Sequence, residues 1–391
     1  MEEYDVIVAG AGPAGGNCAK ELAGMDYDVL LLERSKIIGE PNFSTGGTVK
    51  ETMKIFNLPK KITDSSWSSI LIQGPTEKAE FDYNKTMGYV LNYKLLKQFL
   101  AHKAKVNGAE VITGAIVDDV IIKNGYVNGI ILNEKNERKK FFSKVVVDAT
   151  GTGGVLSRRL GLTSLQKKLT IGIEYHMNKV HLERADRLNF YLNRNYAPNG
   201  YAWIFPSGKG RAKVGVGILQ SIKNGRPLIE FLKRFVASHK QTASAKIIDL
   251  HGGALNDDTN VKNYVKDGFI SVGDAAFQIN HLGGEGIRHA LYSGLFAAQT
   301  IDLALTKNDI GRKGLELYNL RWKNYIGRKW AMASILSKRV YSLNNNGFDA
   351  GIKLVSKFDP QDVFEILFNY QFGLIRKYLP QIFKTFPKYL F

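Results

Sequence analysis

Gly10, Gly12 and Gly15 stand directly after an apolar run at 6–9 and open a stretch of helical character. A second apolar run at 29–32 follows and ends in Glu33, 18 residues past Gly15. This order predicts a strand–turn–helix–strand unit that holds a dinucleotide. Gly10 permits the tight turn, Gly12 lets a pyrophosphate approach the backbone, and Gly15 lets helix pack on strand. The helix start offers unpaired N–H groups and a positive dipole end to the phosphates, and Glu33 can accept ribose hydroxyls. Glycines alone are weak evidence. Here both strands, the helix and the terminal acid accompany them.

Three further segments stand in order along the chain: Val-Val-Asp-Ala-Thr-Gly at 146–151, Gly-Tyr-Ala-Trp-Ile-Phe-Pro at 200–206, and Val-Gly-Asp-Ala-Ala-Phe at 272–277. The elements that must position them are readable in outline. A helix is expected over 49–56 and another over 90–107. Strands are expected over 110–120 and 126–132, joined by a turn at Lys123-Asn-Gly. Residues 145–148 read as a buried strand, 169–220 alternate as an antiparallel sheet would, and a helix runs from about 286 to 305. Residues 1–65, 90–168 and 262–305 are expected to form a discontinuous nucleotide-binding domain. Residues 66–89 and 169–261 form an inserted sheet domain, and 306–391 a basic helical region. The fold class is α/β: a Rossmann-like domain with an interleaved antiparallel sheet and a C-terminal helical region.

The 391 residues are 44% hydrophobic, which sustains a sizeable core. The single cysteine, Cys18, excludes an internal disulfide and reads as a small buried residue. No Cys/His cluster has metal spacing, so no metal is expected. A strand begins by about residue 5, leaving no room for a signal peptide, and no apolar run spans a membrane. The net charge is +18. A lysine-rich solvated surface, an anionic membrane or a phosphorylated substrate would each account for it. No nucleic-acid motif is present, so nucleic acid is not an expected partner. Half of the excess lies in 306–391, with fifteen Lys and Arg against six Asp and Glu. Its end interleaves bulky apolar residues with cations, which suits either an interfacial helix at a membrane or a cap on the fold. The expected location is the cytoplasm, with peripheral contact at the inner face of the membrane.

At this point the chain resembles the FAD-dependent flavoproteins of the p-hydroxybenzoate-hydroxylase-like superfamily. Within it, the chain is most similar to the archaeal geranylgeranyl reductases, also called digeranylgeranylglycerophospholipid reductases. That family's aromatic-x-Trp-x-Phe-Pro motif, eight residues, then Gly-x-Gly, is present as Tyr201, Trp203, Phe205, Pro206, Gly215 and Gly217. The resemblance covers roughly residues 3–305. It implies FAD bound through Gly10, Gly12, Ala14, Gly15, Glu33, Arg34, Thr45, Gly46, Gly47, Val117, Asp274, Gly286 and Ile287. Asp274 would take the ribityl hydroxyls, and N–H groups near Gly286 and Ile287 would face the flavin's pyrimidine edge, where reduced flavin is anionic. Tyr201, Trp203, Phe205 and Pro206 would line an isoprenoid cavity, although on spacing alone alternating aromatics are core.

Three departures from the family stand out. Thr45 occupies the place of a cysteine near the flavin. A threonine hydroxyl is too weak an acid to replace a thiol without a paired base, and none lies nearby in sequence, so Thr45 is expected to shape the loop. Glu285 stands where the family has glycine, and His281 where it often has proline. The implied reaction saturates C=C bonds of a polyisoprenoid lipid by hydride transfer from reduced FAD. Tyr201, Trp203 and His281 are the expected catalytic set, with bound water an equal source of the proton. No second nucleotide fold is visible, so the electron donor, NADPH or ferredoxin-like, would bind transiently. A flavin monooxygenase or carotenoid-cyclase-like enzyme, and a lipid-binding flavoprotein without turnover, are the alternatives.

Overall fold

The computed structural model describes residues 3–42, 44–134, 137–164, 168–221, 227–256, 261, 263–280 and 282–386. Parallel strands form the first layer in the spatial order Phe269–Ser271, Glu137–Asp148, Glu3–Ala9, Val29–Glu33 and Glu110–Thr113. Val6, Val8, Leu30 and Leu31 are fully buried. Such continuous apolar runs suit strands covered on both faces. The helix Pro13–Ala23 packs where glycine removes the obstacle: a Cβ at Gly15 would lie 1.9 Å from the Gly10 carbonyl oxygen. The helix Ile287–Thr306 crosses it equally closely, with a Cβ at Gly294 falling 2.2 Å from the Ala14 carbonyl oxygen.

The strand expected over 110–120 is two strands. Glu110–Thr113 joins the parallel sheet, and Val117–Lys123 pairs antiparallel with Tyr126–Glu134, which pairs in turn with Glu137–Asp148. Gly114, with φ +74°, turns the chain between them. Asp148 ends its strand as a structural knot. Its two carboxylate oxygens accept from the backbone and hydroxyl of Thr150 and of Ser157, at 2.6–3.0 Å.

The second sheet runs in the order Lys246–Leu255, Lys168–Asn178, Arg211–Ser221, Gly200–Pro206, Arg187–Tyr191, Ser69–Gln73 and Lys78–Asp82. Its pairs are antiparallel except that of Arg187–Tyr191 with Ser69–Gln73. The expectation of sheet alone through this region misses a helix, Leu228–Ser238. Leu228, Phe231, Leu232 and Phe235 recur at helical spacing and bury against Ile204, Val214 and Val216 on the sheet's outer face. A small sheet of Gly47–Val49, Gly88–Leu91 and Thr63–Trp67 bridges the two layers.

Residues beyond 306 form helices, including Arg328–Ser342, Asn345–Val355 and Pro360–Phe368. Asn344 caps the second by accepting from Gly347 N–H, and Asp359 caps the third by accepting from Gln361 and Asp362 N–H. Val363 and Phe364 bury against Trp67 and Tyr83 of the sheet domain. Tyr370 and Phe372 bury against Trp322 and Trp330. The first part of the segment that suits either a membrane-lying tail or a cap, with Phe364, Ile366, Tyr370 and Phe372, is therefore core. Among the described residues, no helix is long and apolar enough to cross a membrane.

Candidate active site

The nucleotide fingerprint forms a cradle made of backbone. Gly12 caps the helix Pro13–Ala23, and a Cβ built there meets nothing within 4 Å, so open space faces the helix start. A Cβ at Gly273 would come 2.9 Å from the Ala14 side chain, which brings the turn carrying Asp274 against the same helix start. Asp274 Oδ1 lies 3.7 Å from the Cβ position at Gly286, the residue before helix Ile287–Thr306. Burial raises the Asp274 carboxyl to about 6. A buried acid held away from ionisation is a waiting acceptor, and the hydroxyl chain of a dinucleotide would satisfy it.

At the other end of the cradle, Glu33 accepts from Ala11 N–H at 3.3 Å and Ser35 N–H at 3.0 Å. Buried Lys97 approaches the same carboxylate at 3.5 Å. Lys97, on the helix Tyr93–Val106, thus brings to this site a cation that sequence analysis did not name. Val117 sits just past the Gly114 turn, where Ala115 N–H donates to the Glu33 carbonyl, while Arg34 is exposed.

A cavity of about 720 Å³ opens over the inner face of the second sheet. Loop residues 44–47 form one wall, residues 279–287 another, and the inner face of the second sheet the floor. Lys213, 1% exposed, anchors the first loop by donating to the carbonyls of Thr45 and Leu91, each at 3.0 Å. Tyr201 anchors the second by donating to the Gly283 carbonyl at 2.7 Å, and Tyr341 donates to the Leu282 carbonyl.

The floor follows from strand register. Trp203 pairs with Gly215, Gly215 with Glu174, and Glu174 with His251 across four adjacent strands. Partners in register share a face. A Cβ at Gly215 would lie 2.2 Å from the Trp203 indole, and at Gly217 3.4 Å from it. The two glycines thus let the indole lie flat along the sheet, and its Nε1 reaches Glu174 Oε2 at 3.2 Å. Thr45 Oγ1 donates to the same oxygen at 2.7 Å. The base missing from Thr45's sequence neighbourhood is a carboxylate 129 residues away. Burial alone would raise the Glu174 carboxyl. The neighbouring His251, the Lys213 charge and the Thr45 and Trp203 donors outweigh burial and hold it below the ordinary range.

Tyr201, Trp203 and Phe205 all line the cavity, with Thr45, Gly46, Gly47, Gly286 and Ile287. Pro206 is buried, its carbonyl accepting from Ser65 Oγ, and is not among the lining residues. His281 lies outside the described residues. Sequence reasoning missed Glu174 and His251, which meet only across strands. It also missed the closure of the cavity by Ser337, Lys338, Tyr341 and Phe368 from the C-terminal helices. Glu285, the departure from the family pattern, ties that closure down. It accepts from Arg288 at 2.7 Å and from the Tyr370 hydroxyl at 3.0 Å, while Arg288 also donates to the Phe368 carbonyl. Burial opposes its ionisation, but the Arg288 charge and His289 push it down to about 2.

Comparison with known proteins fits this geometry. Residues 168–255 match the geranylgeranyl reductase catalytic domain, and residues 5–159 match the FAD dependent oxidoreductase family. A digeranylgeranylglycerophospholipid reductase of Haloferax volcanii is 31% identical over 368 residues, covering 89% of this chain and 88% of its own. A protein of the same description from Methanosarcina acetivorans is 31% identical, with 93% and 92% covered. The crystal structure of a geranylgeranyl bacteriochlorophyll reductase-like protein from Thermoplasma acidophilum superposes with a TM-score of 0.90 at 28% identity, covering 99% of both chains.

Proposed function

The chain belongs to the digeranylgeranylglycerophospholipid reductase family of FAD-dependent oxidoreductases, and from that premise we propose that it saturates C=C bonds of geranylgeranyl lipids, as in archaeal membrane lipid synthesis. FAD is the cofactor, and supplies hydride when bound and reduced. The observation that carries the reading is the largely apolar, lipid-sized cavity walled by Thr45–Gly47, Gly286 and Tyr201–Trp203–Phe205, which reaches the Gly286 turn beside Asp274.

In this reading Gly10, Gly12, Ala14 and Gly15 take the pyrophosphate, Glu33 and Val117 the adenosine end, and Asp274 the ribityl chain. The start of helix Ile287–Thr306 favours negative charge on the ring through its dipole. Tyr201, Trp203 and Phe205 hold the isoprenoid chain and exclude water, which an unactivated alkene requires. The electron donor, NADPH or ferredoxin-like, docks transiently. Substrate enters from a membrane surface to which the protein binds peripherally. On the helix Arg328–Ser342, Met332 and Ile335 are 51% and 58% exposed, flanked by exposed Arg328, Lys338 and Arg339. Lys338 and Tyr341 of that helix line the cavity. Apolar side chains among cations suit anionic headgroups. Co-sedimentation with anionic liposomes that survives Met332→Asp/Ile335→Asp would reject this face.

The reaction class is tested by mass spectrometry of lipid extracts incubated with the dithionite-reduced protein. Gains of about two mass units per bond indicate saturation. Oxygen incorporation in aerobic turnover would instead indicate a monooxygenase, and unchanged lipid a binding protein.

A further inference from the structure

We propose that Asp249, His251, Glu174 and Thr45 form a proton relay from solvent to the cavity, with the Thr45 hydroxyl handing the proton to the substrate carbon. The proposal rests on the reductase reading, because saturating an alkene consumes one proton for each hydride.

The relay is a line across the sheet. Its outer end is the Asp249 side chain, 63% exposed, whose Oδ2 lies 2.9 Å from His251 Nε2. The ring's other nitrogen, Nδ1, faces Glu174 Oε1 at 3.8 Å. Both of those atoms are buried and have no hydrogen-bond partner among the described residues. An unpartnered buried donor and acceptor aimed at one another are costly in a fold, and a sub-ångström approach joins them. Glu174 Oε2 takes the Thr45 hydroxyl at 2.7 Å. Thr45 lies in the cavity wall and is only partly buried, whereas Glu174 is 3% exposed and His251 7%. The hydroxyl is thus the outlet of the line. Trp203 Nε1 fixes the Glu174 carboxylate, and Lys213 fixes the Thr45 carbonyl; both act as positioning residues.

The step balances as follows. The π bond breaks, one carbon takes the hydride of the reduced cofactor, and the other takes the Thr45 proton. Before the transfer the His251 imidazolium passes its Nδ1 proton to the Glu174 carboxylate; Thr45 Oγ1 then takes that proton from Glu174 as it gives its own to the carbon, and His251 is reprotonated from solvent at Asp249. The cofactor is oxidised by two electrons, the four residues return to their starting states, and no free alkoxide forms because hydroxyl loss and gain are concerted.

The charge state suits this traffic. Glu174, then Asp249, raise the His251 imidazole above its ordinary value against the effect of burial. Among the described residues, His176 on the strand of Glu174 is the other titratable group that interacts with it, and His176 in turn faces Lys213, Asp64 and Arg211. Asp64 pairs with Lys213 at 3.3 Å.

The test uses the full-length FAD-loaded protein. Two readouts are lipid saturation in single turnover across pH and the titration of isotope-labelled histidines by NMR. Wild type should lose rate as pH rises through the raised His251 value, because the proton supply is lost. Thr45→Val should slow saturation by about a hundredfold at unchanged flavin content, while Thr45→Ser stays within about threefold, the range expected of acid catalysis removed and restored. Glu174→Gln, whose amide cannot carry the proton, should slow saturation as Thr45→Val does and move the His251 titration to lower pH. Saturation by Thr45→Val at the wild-type rate, or a His251 titration indifferent to Glu174→Gln, overturns the relay. If wild type itself yields no saturated lipid, the reductase reading fails and the relay with it. Normal wild-type product with normal Thr45→Val rates rejects the relay alone.

Discussion

The nucleotide cradle and the cavity floor solve opposite problems with glycine. In the cradle, Gly12 leaves room for a ligand: a Cβ there touches nothing of the protein. In the floor, glycines leave room for a side chain: Gly215 and Gly217 are the bed on which the Trp203 indole lies. The cradle recognises with backbone N–H groups and a helix dipole. The floor recognises with side chains drawn from four strands. A site built of backbone is contiguous in sequence, and a site built of side chains is contiguous only in the sheet. Substitution at each glycine should therefore damage a different half of the reaction.

The largest effect is expected at Gly215. A valine there would put Cβ 2.2 Å from the indole and 2.8 Å from the Glu174 Cβ, so the indole must leave its bed. Misplacement on the scale of 1 Å costs about a hundredfold in rate or more, and overpacking costs roughly 1–3 kcal/mol of stability. Lipid saturation should fall by that factor while the purified protein keeps its yellow flavin. Gly217→Ala, whose Cβ would meet the indole at an ordinary 3.4 Å, should retain most activity. Equal loss in the two variants would show that the floor is not organised around Trp203.

Gly12→Val should do the reverse. Gly12 has φ −72°, which valine tolerates, and its Cβ would enter open space, so the apo-protein should melt within about 1 kcal/mol of wild type. The branched side chain would occupy the path of the pyrophosphate. FAD affinity should fall at least about a hundredfold, each 1.4 kcal/mol of lost contact being tenfold. Equilibrium titration with FAD reads this directly, and a variant that purifies with full flavin would place the pyrophosphate elsewhere.

The same contrast explains what could be read before the structure was known. The fingerprint strands, the 18-residue interval to Glu33 and the Gly-Asp turn at 273–274 are local patterns, and the fold they implied is the fold observed. Glu174 and His251 gave no signal, because 77 residues separate two neighbours in register and neither sits in a recognisable motif. The helix Leu228–Ser238 was legible in principle from Leu228, Phe231, Leu232 and Phe235 but was overshadowed by the alternating strands around it. The C-terminal region was ambiguous in another way. Its mixture of aromatics and cations reads equally as membrane surface or cap, since periodicity shows only that a face is apolar and not what covers it. The structure divides it: Phe364, Tyr370 and Phe372 are core, whereas Met332, Ile335 and Phe383 are exposed.

The smallest expected effect sharpens the comparison most, because it reads the cradle through a side chain. Asp274, like Glu33 at the other end, is a charged exception in a site made mostly of backbone. Its ordinary value is 3.8, and burial raises it to about 6, so the FAD-free fold binds a proton that the unfolded chain releases. That fold is therefore favoured as pH falls through about 6, and its Asp274 carboxylate becomes a liability above it. Ribityl hydroxyls donating to the carboxylate would favour its charged form and lower its value in the complex. Binding then releases a proton, and affinity must rise with pH up to about 6 and level off above. The slope is at most about tenfold per pH unit for one proton. FAD titrations by fluorescence quenching at pH 5, 6, 7 and 8 should show affinity climbing between the first two and flat between the last two. Asp274→Asn cannot ionise and should bind with no such rise. A wild-type profile as flat as that of the asparagine variant would mean that the ribityl chain does not use Asp274, and that this end of the cradle recognises its ligand through backbone alone.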